Sequence, residues 1–575
     1  MPDNISRILA TADTETDPFK IGRTVLQPFS WGIYDGETYR DFWGDDATQQ
    51  FIDYLAHEDT PPLEIYAHNG GRFDWLFIKE HLDPKILMIG NRIVKATIMG
   101  GKHELRDSYA NMPVPLKSFV TKSGEKIEID YEKLERHCRE RHKKEILHYQ
   151  KQDVLVLYDA VKAWREMFGE KPLTMASAAT NALQASVEEL TGEKISKFTE
   201  EMDETFRAFY YGGRVETFEK GILQPTAGNV FKVYDLNSAY PAAMKNLKHP
   251  IGNNWRIGKR INEYTDFAEI LAHSKGALPL RNEKGAIHFP HGTFRFFATG
   301  HEIREALKHG LLQIKTVFKT YQCDRRASFQ DFIDRFYMLR LEAKEQGNAM
   351  YTLFYKLVMN SSYGKTAIDP RKFTEMQFLE NGYQPVGYSD EQKALAKMTP
   401  EERLVAKPLM WRMSEILPTH VIWERNVDTK GKFLNVACGA SITGGARANM
   451  LAGLVKAKRP IYCDTDSIVC EEFAGDIHPT RLGAWDLEAT GSVFALAGKK
   501  LYALFDDKGN CIKKACKGAD LTPAEIVRVA SGEAVTWQSP VPVFSLAGST
   551  TLTRTIRNTA KIEKGLPNVP NKFAC

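Results

Sequence analysis

The chain has 575 residues, of which 43% are hydrophobic and 26% charged, and its net charge is only +4. That length exceeds a single hydrophobic core and implies roughly three to five domains or subdomains. The composition is globular: no apolar run approaches the roughly 18 residues of a membrane span, and the small net charge neither requires nor excludes a nucleic-acid partner.

The N-terminal stretch MPDNISRILATADTETD lacks the basic segment, apolar core and small-residue cleavage site of a secretory signal, so a cytoplasmic protein is expected. KILMIG, RIVKATIM and KHELRDSY then predict strands, and the long run from Glu132 to Phe168 predicts one or two helices. KVYDLNSAY reads as a strand entering a turn. FQDFIDRFYMLRLEAKEQ and AMYTLFYKLVMNSSYG form two helices joined near Gly347 and Asn348, and the turn-rich stretch 366–435 is an inserted element. RPIYCDTDSIVC closes the series as a strand and a tight turn. Basic residues gather at 136–144, 456–459, 513–517 and in the tail from Thr551, where they can track phosphates or form solvated faces. The eight cysteines include no Cys-x-x-Cys pair, so reduced thiols are expected rather than a zinc site or disulfides.

Asp464 and Asp466, two residues apart between apolar neighbours, raise the first chemical question. Burying ionised carboxylates is costly unless a cation or hydrogen bonds compensate them. A turn at Thr465 would present both at one end of a hairpin, where a hard divalent cation would satisfy them. Asp235 ends another apolar strand, ahead of the helix-starting Pro241, and KLVMNSSYGK puts Lys356, Asn360, Tyr363 and Gly364 on one helix.

In this order DLNSAYP, KLVMNSSYG and YCDTDS resemble the three polymerase motifs of family B DNA polymerases. The resemblance implies two magnesium ions per active site, with manganese as a substitute, held by Asp235, Leu236 and Asp466 while Asp464 supports the site or binds metal secondarily. It also implies nucleotide contacts from Leu236, Tyr240, Lys344, Lys356, Asn360 and Tyr363. Lys356 and Lys344 would neutralise the triphosphate, and Tyr240 would exclude a ribose 2′ hydroxyl. Lys500 and Tyr502 in AGKKLYAL would contact the primer terminus.

Upstream, Asp13-x-Glu15 alone carries little information, since about two such pairs are expected by chance. Followed by Asn69, Phe73 and Asp74 in IYAHNGGRFDWL and by Tyr149 and Asp153 in HYQKQD, it resembles the DEDD exonuclease fused to family B polymerases. That implies two metals held by Asp13, Glu15, Asp74 and Asp153, a water oriented by Tyr149, and excision of mispaired 3′ ends. Ser108, Tyr109 and Lys126 match the places where the protein-primed branch contacts the frayed strand, although that branch usually has leucine in place of Tyr109.

Tyr210, Gly212 and Gly213 in RAFYYGGR match the Tyr-x-Gly-Gly linker of the same branch, and Thr443 and Arg447 match its DNA-contacting Thr-x-x-Ala-Arg element. From about residue 11 to 560 the chain is similar to tectivirus-type phage polymerases. The implied fold is α/β and multidomain: an N-terminal RNase H-like DEDD exonuclease domain, then a right-hand polymerase of palm, fingers and thumb with two insertions. The expected division is exonuclease 1–190, linker and first palm segment 191–250, first insertion 251–330, fingers 331–366, second insertion 367–435, second palm segment 436–507 and thumb 508–575.

The implied partners are template-primer DNA, deoxyribonucleoside triphosphates and a terminal protein primer, with no membrane, for a phage-encoded monomer or heterodimer in a bacterial host's cytoplasm. Within the first insertion, the aromatics of HFPHGTFRFF with Arg295, Arg304, Arg325 and Arg326 are expected to dock the primer protein, Phe294 and Phe296 sharing one strand face. Two alternatives remain open: a family B polymerase that needs no protein primer, and a nuclease or DNA-binding protein with an inactive polymerase half. Primer extension, and a gel showing whether the first nucleotide becomes bonded to protein, distinguish them.

Overall fold

The computed structural model describes residues 6–22, 26–89, 92–369, 374–416, 420–426, 433–518, 520–542 and 553–561. Its N-terminal sheet is built around Ile8–Thr16, which pairs in parallel with Leu63–Ala67 and antiparallel with Pro28–Tyr34. Leu63–Ala67 is buried along its whole length, as a central strand covered on both faces must be. Ala47–Ala56 and Lys143–Phe168 are two of the helices packed against this sheet. The second is a single helix whose buried face runs through Ile146, Tyr149, Gln150, Asp153, Leu157 and Trp164. It begins later than the sequence suggests, because the preceding basic run is drawn into short 3₁₀ turns and ion pairs. Arg136 reaches Asp45, and Arg139 reaches Asp17 and Asp45 while its guanidinium lies 4.3 Å from the Phe29 ring centroid.

The inserted stretch does not stand alone. Its strand Thr374–Glu380 pairs with Lys85–Ile89 through Met376 and Ile86, so the N-terminal sheet grows to ten strands, ending with His420–Asn426 and Arg412–Ile416. An edge that would otherwise invite pairing with a foreign strand is thereby covered from within the chain.

The palm is a five-stranded antiparallel sheet in the order Val215–Thr217, Tyr462–Asp464, Ser467–Cys470, Phe231–Leu236 and Trp485–Gly491. Behind it lies Val436–Lys456, a helix buried on nearly every side. Its small residues make that burial possible: a Cβ on Gly444 would stand 2.4 Å from Thr299 Oγ1. The finger helices Gln330–Glu345 and Ala349–Ser361 are antiparallel, turned by Gly347 at φ 69° and capped by Asn348, whose Oδ1 accepts the Tyr351 N–H at 3.1 Å. One apolar cluster joins them to the N-terminal unit through Val156, Trp164, Leu183, Phe332, Phe354 and Val358.

The first insertion is a four-stranded sheet, with Phe267–Lys275 between Leu312–Cys323 and His291–Thr299, followed by the helix Gly300–Lys308. A further four-stranded sheet combines Gly221–Leu223, Val493–Gly498, Leu501–Phe505 and Cys511–Cys516, and therefore crosses the expected palm-thumb boundary at residue 507. The seven described cysteines are free thiols. Most of the basic tail after Thr551 lies outside the described residues.

Candidate active sites

In the palm, Asp235 sits opposite Ser467 on the neighbouring strand, and the Leu236 N–H donates to the Asp466 carbonyl at 2.6 Å. Leu236 itself is buried, so its link to the site runs through its backbone. Thr465 takes a positive φ of 56°, bringing the Asp466 N–H to 2.5 Å from the Asp464 carbonyl. The two carboxylates of this turn have different partners. Asp464 accepts from Lys500 Nζ at 2.7 and 2.5 Å and from the Tyr462 hydroxyl at 3.1 Å. Asp466 instead shares its field with Asp235. Burial, then the charges of Asp466 and Glu488, push the Asp235 carboxyl up to about 7, and burial with Asp464 raises Asp466.

Glu488 and Asp486 were not anticipated. Asp486 pairs in register with Asp235, and Glu488 falls where the register slips, its carboxylate ion-paired with Lys513. Their only sequence signal is Asp-x-Glu within a strand, which strands of many kinds share.

Tyr240 and Tyr363 stack with centroids 5.1 Å apart and ring planes 28° from parallel. Tyr363 lies just beyond the finger helix, which ends at Ser361, so Lys356, Asn360, Tyr363 and Gly364 do not share one helix as expected. Lys344, Lys356 and Asn360 are exposed, and neither lysine has an ion-pair partner among the described residues.

Several expected DNA contacts are turned inward. Lys500 holds Asp464. Tyr502 is 7% exposed, with its ring 5.4 Å from that of Tyr462, because its strand packs onto the palm core. Thr443 and Arg447 are each 2% exposed on the buried helix, where the Thr443 hydroxyl donates to the Ala440 carbonyl and Arg447 is ion-paired with Glu302. In the linker, Tyr210 is half-buried and Gly212 exposed. Gly213 lies against the Asp464–Asp466 turn, where a Cβ would stand 2.6 Å from Thr465 Oγ1.

The N-terminal cluster is more enclosed. Asp13, Glu15, Asp74, Tyr149 and Asp153 line one cavity of about 570 Å³ together with Asn69, Phe73, His68 and Lys126. Burial and then Asp153 push Asp13 up to about 7. Glu15, Asp74 and Asp153 are raised as well, with burial the first cause in each. Lys126 supplies the compensating charge: its ammonium is paired with Asp153 and donates to the Tyr149 hydroxyl at 2.7 Å.

Ser108 departs from expectation. It is fully buried, its hydroxyl 3.0 Å from His68 Nδ1, so it positions a residue that lines the cavity and cannot touch a strand itself. Tyr109 carries the Arg92 guanidinium 4.6 Å from its ring centroid. Asp107, also missed in the sequence, pairs with Arg92 and accepts the N–H groups of Asn69, Gly71 and Tyr109, fixing the loop that carries Asn69.

Both clusters fit a divalent cation. Among the described residues Asp153 Oδ1 is buried without a hydrogen-bond partner, and carboxyls raised by their mutual charge have unspent affinity for positive charge. Among the described residues no three His, Cys, Asp or Glu side chains form a finished metal cage.

In the first insertion, Arg304 and Arg326 line a cavity of about 960 Å³ with Trp255, Tyr264 and Asp266. Arg325 does not join them. It is ion-paired with Glu193 and donates to Ser196 Oγ at 3.0 Å, which ties the insertion to the preceding loop. Arg295 pairs with Glu269. Phe296 is fully buried and Phe294 38% exposed, so their shared face meets the core and forms no open apolar patch.

Residues 114–471 match the family DNA polymerase type B, organellar and viral. The chain is 40% identical over 519 residues to a DNA-directed DNA polymerase of Enterobacteria phage PRD1, covering 90% of this chain and 86% of that one. A probable DNA polymerase of Neurospora intermedia is 24% identical over 405 residues, covering 64% of this chain and 39% of the other. The fold matches the structure of Phi29 DNA polymerase complexed with primer-template DNA and incoming nucleotide substrates, with a TM-score of 0.68 at 18% identity over 97% of this chain and all of that one. The structure of Phi29 DNA polymerase in an orthorhombic crystal form gives a TM-score of 0.69 at 17% identity, again over 97% of this chain and all of that one. This chain belongs to the organellar and viral type B DNA polymerases and is a DNA-directed DNA polymerase with an exonuclease-type N-terminal unit on a right-hand polymerase fold.

Proposed function

We propose that the protein replicates a linear phage or plasmid genome by protein-primed initiation and strand displacement, and proofreads with a 3′ to 5′ exonuclease. The observation that carries the two-activity reading is the pair of separate carboxylate clusters, in each of which burial and neighbouring carboxylates lift one aspartate to about 7. The domain division given above is part of the proposal.

Magnesium bound at Asp235 and Asp466 would polarise the primer hydroxyl and the leaving phosphate. The protein's own groups do the rest. Lys500 neutralises Asp464, so this carboxylate of the turn does not add to the repulsion around Asp235. Exposed Lys356 and Lys344 are available to the triphosphate, and Tyr240, braced by Tyr363, closes the space beneath the sugar. In the N-terminal cavity Lys126 fixes the Tyr149 phenol, which orients water for attack on a terminal phosphodiester. The cavity holding Arg304 and Arg326 supports docking of an acidic segment of a terminal protein. Among the described residues no helix is long and apolar enough to cross a membrane. The expected setting is a host cytoplasm, with the enzyme acting alone or as a heterodimer with its primer protein.

The test supplies labelled deoxyribonucleotide with the terminal protein and separates products on a denaturing gel. Label bonded to protein supports protein priming. Extension of a DNA primer without any protein-linked product identifies a polymerase that starts otherwise. Degradation of a labelled single strand, run in parallel, tests the exonuclease.

A further inference from the structure

Arg447 is 2% exposed, and its four hydrogen bonds all reach outside its own helix. Nε donates to Glu302 Oε1 at 2.7 Å and Nη2 to Oε2 at 3.1 Å, while Nη1 donates to the carbonyls of Tyr211 at 2.6 Å and Gly212 at 2.9 Å. Glu302, also 2% exposed, is held in a capping box, where its Oε2 accepts from Thr299 N–H at 3.2 Å and Thr299 Oγ1 at 2.8 Å. Its carboxylate therefore has one place to be.

The linker continues from these carbonyls directly into the catalytic turn. Gly213 leaves no room for a Cβ beside Thr465, the Arg214 carbonyl accepts the Thr465 N–H at 2.7 Å, and Val215 pairs with Asp464. Thr465 is the residue between Asp464 and Asp466. A continuous set of contacts thus runs from the first insertion, through the buried helix, to the polymerase carboxylates.

A buried ion pair is weak support for stability in itself, since well-packed apolar side chains of similar volume often hold a fold as well. What an apolar pair could not supply is two N–H bonds to the linker carbonyls. We propose that Glu302 is a positioning residue of the polymerase site: through Arg447 it fixes the backbone of Tyr211–Gly213, and with it the Asp464–Asp466 turn and the linker surface offered to primer-template DNA. Arg447 acts on DNA through the linker and does not touch it.

The test uses full-length E302Q and the double variant E302M/R447M. The first removes the partner charge; the second leaves no buried charge but also no donor for the two carbonyls. For both, kcat and KM for nucleotide on a primed template, Kd for primer-template and degradation of a single strand are measured. The expected result is a fall in kcat of about tenfold to a hundredfold, as for a catalytic group displaced by an ångström or less, with weaker primer-template binding. KM for nucleotide should change little, because the exposed lysines and Tyr240 lie on other elements, and single-strand degradation should persist. If E302Q leaves Arg447 unpaired and fails to fold, the double variant decides. Wild-type kcat and Kd in E302M/R447M overturn the proposal, as does parallel loss of extension and single-strand degradation in both variants.

Discussion

In the N-terminal unit Asp13, Glu15, Asp74 and Asp153 line one cavity with the Lys126 ammonium and the Tyr149 phenol; in the palm Asp235 and Asp466 stand at the ends of adjacent strands, and Asp464 is turned aside to Lys500. The difference follows from what each site would admit. A frayed single strand can enter an enclosed cavity, and enclosure lets the protein supply most of the charge arrangement itself. A duplex end with a triphosphate needs an open face, so the palm carboxylates Asp235, Asp464 and Asp466 are only partly buried and leave room for phosphates to complete the shell of a bound cation. Each cluster is built on its own sheet, so each should fail without the other.

The largest effects should come from removing one carboxylate at a time. Asp466→Ala or Asp235→Ala is expected to cut primer extension by about a thousandfold or more, the scale of several kcal/mol of lost transition-state stabilisation, while single-strand degradation continues. Asp13→Ala should do the reverse, lowering degradation of a mismatched end by a similar factor and leaving correct incorporation near normal. Both activities are measured on each folded variant. Loss of both from any one substitution would mean that the two clusters do not act independently.

A smaller effect separates the palm from the cavity by substrate shape. Tyr240→Val removes the ring braced by Tyr363, and the ratio of ribonucleotide to deoxyribonucleotide incorporation should rise about tenfold to a hundredfold, the range expected when a pocket loses a shape filter. Exonuclease activity should not respond. An unchanged ratio would remove Tyr240 from the gate.

The carboxylates were legible because each sits in a short local pattern, and the structure brings Asp13 and Glu15 from one strand, Asp74 from a 3₁₀ turn and Asp153 from a long helix to one cavity. The finger hairpin was legible for the same reason, with Gly347 marking its turn. What sequence could not reveal was the direction in which the supporting residues face. Val436–Lys456 is so rich in small residues that no face reads as exposed, and Arg447 therefore resembles a surface contact until its partner Glu302, 145 residues away, is seen. Ser108 fails for a similar reason, its hydroxyl being claimed by His68. The pairing of Thr374–Glu380 with Lys85–Ile89 depends on a strand edge nearly three hundred residues distant, which no local pattern encodes.

The smallest expected effect concerns the charge that both clusters lack. Burial and neighbouring carboxylates lift Asp13 and Asp235 from 3.8 to about 7, and raise Glu15, Asp74, Asp153 and Asp466 in the same direction. Between these two pH values the folded chain keeps protons that the unfolded chain has released, so stability falls as pH rises. The favourable contribution is present below the ordinary carboxylate value and is lost as pH passes through about 7. With chelator present, this linkage should make the thermal midpoint lower at pH 8 than at pH 5.5, by an amount on the order of 2 °C. A divalent cation binds the ionised carboxylates of the folded state, so adding it should raise the midpoint at pH 8 and do much less at pH 5.5, where protons compete. The two sites should contribute unequally: Asp13→Asn, which relieves the more enclosed cluster, should flatten the chelated pH dependence more than Asp235→Asn does. Scanning calorimetry of the three proteins at both pH values, with and without metal, measures this directly. Equal stabilisation by metal at both pH values, or a chelated midpoint that rises with pH and does not respond to either substitution, would show that the raised carboxyls are not what links stability to pH.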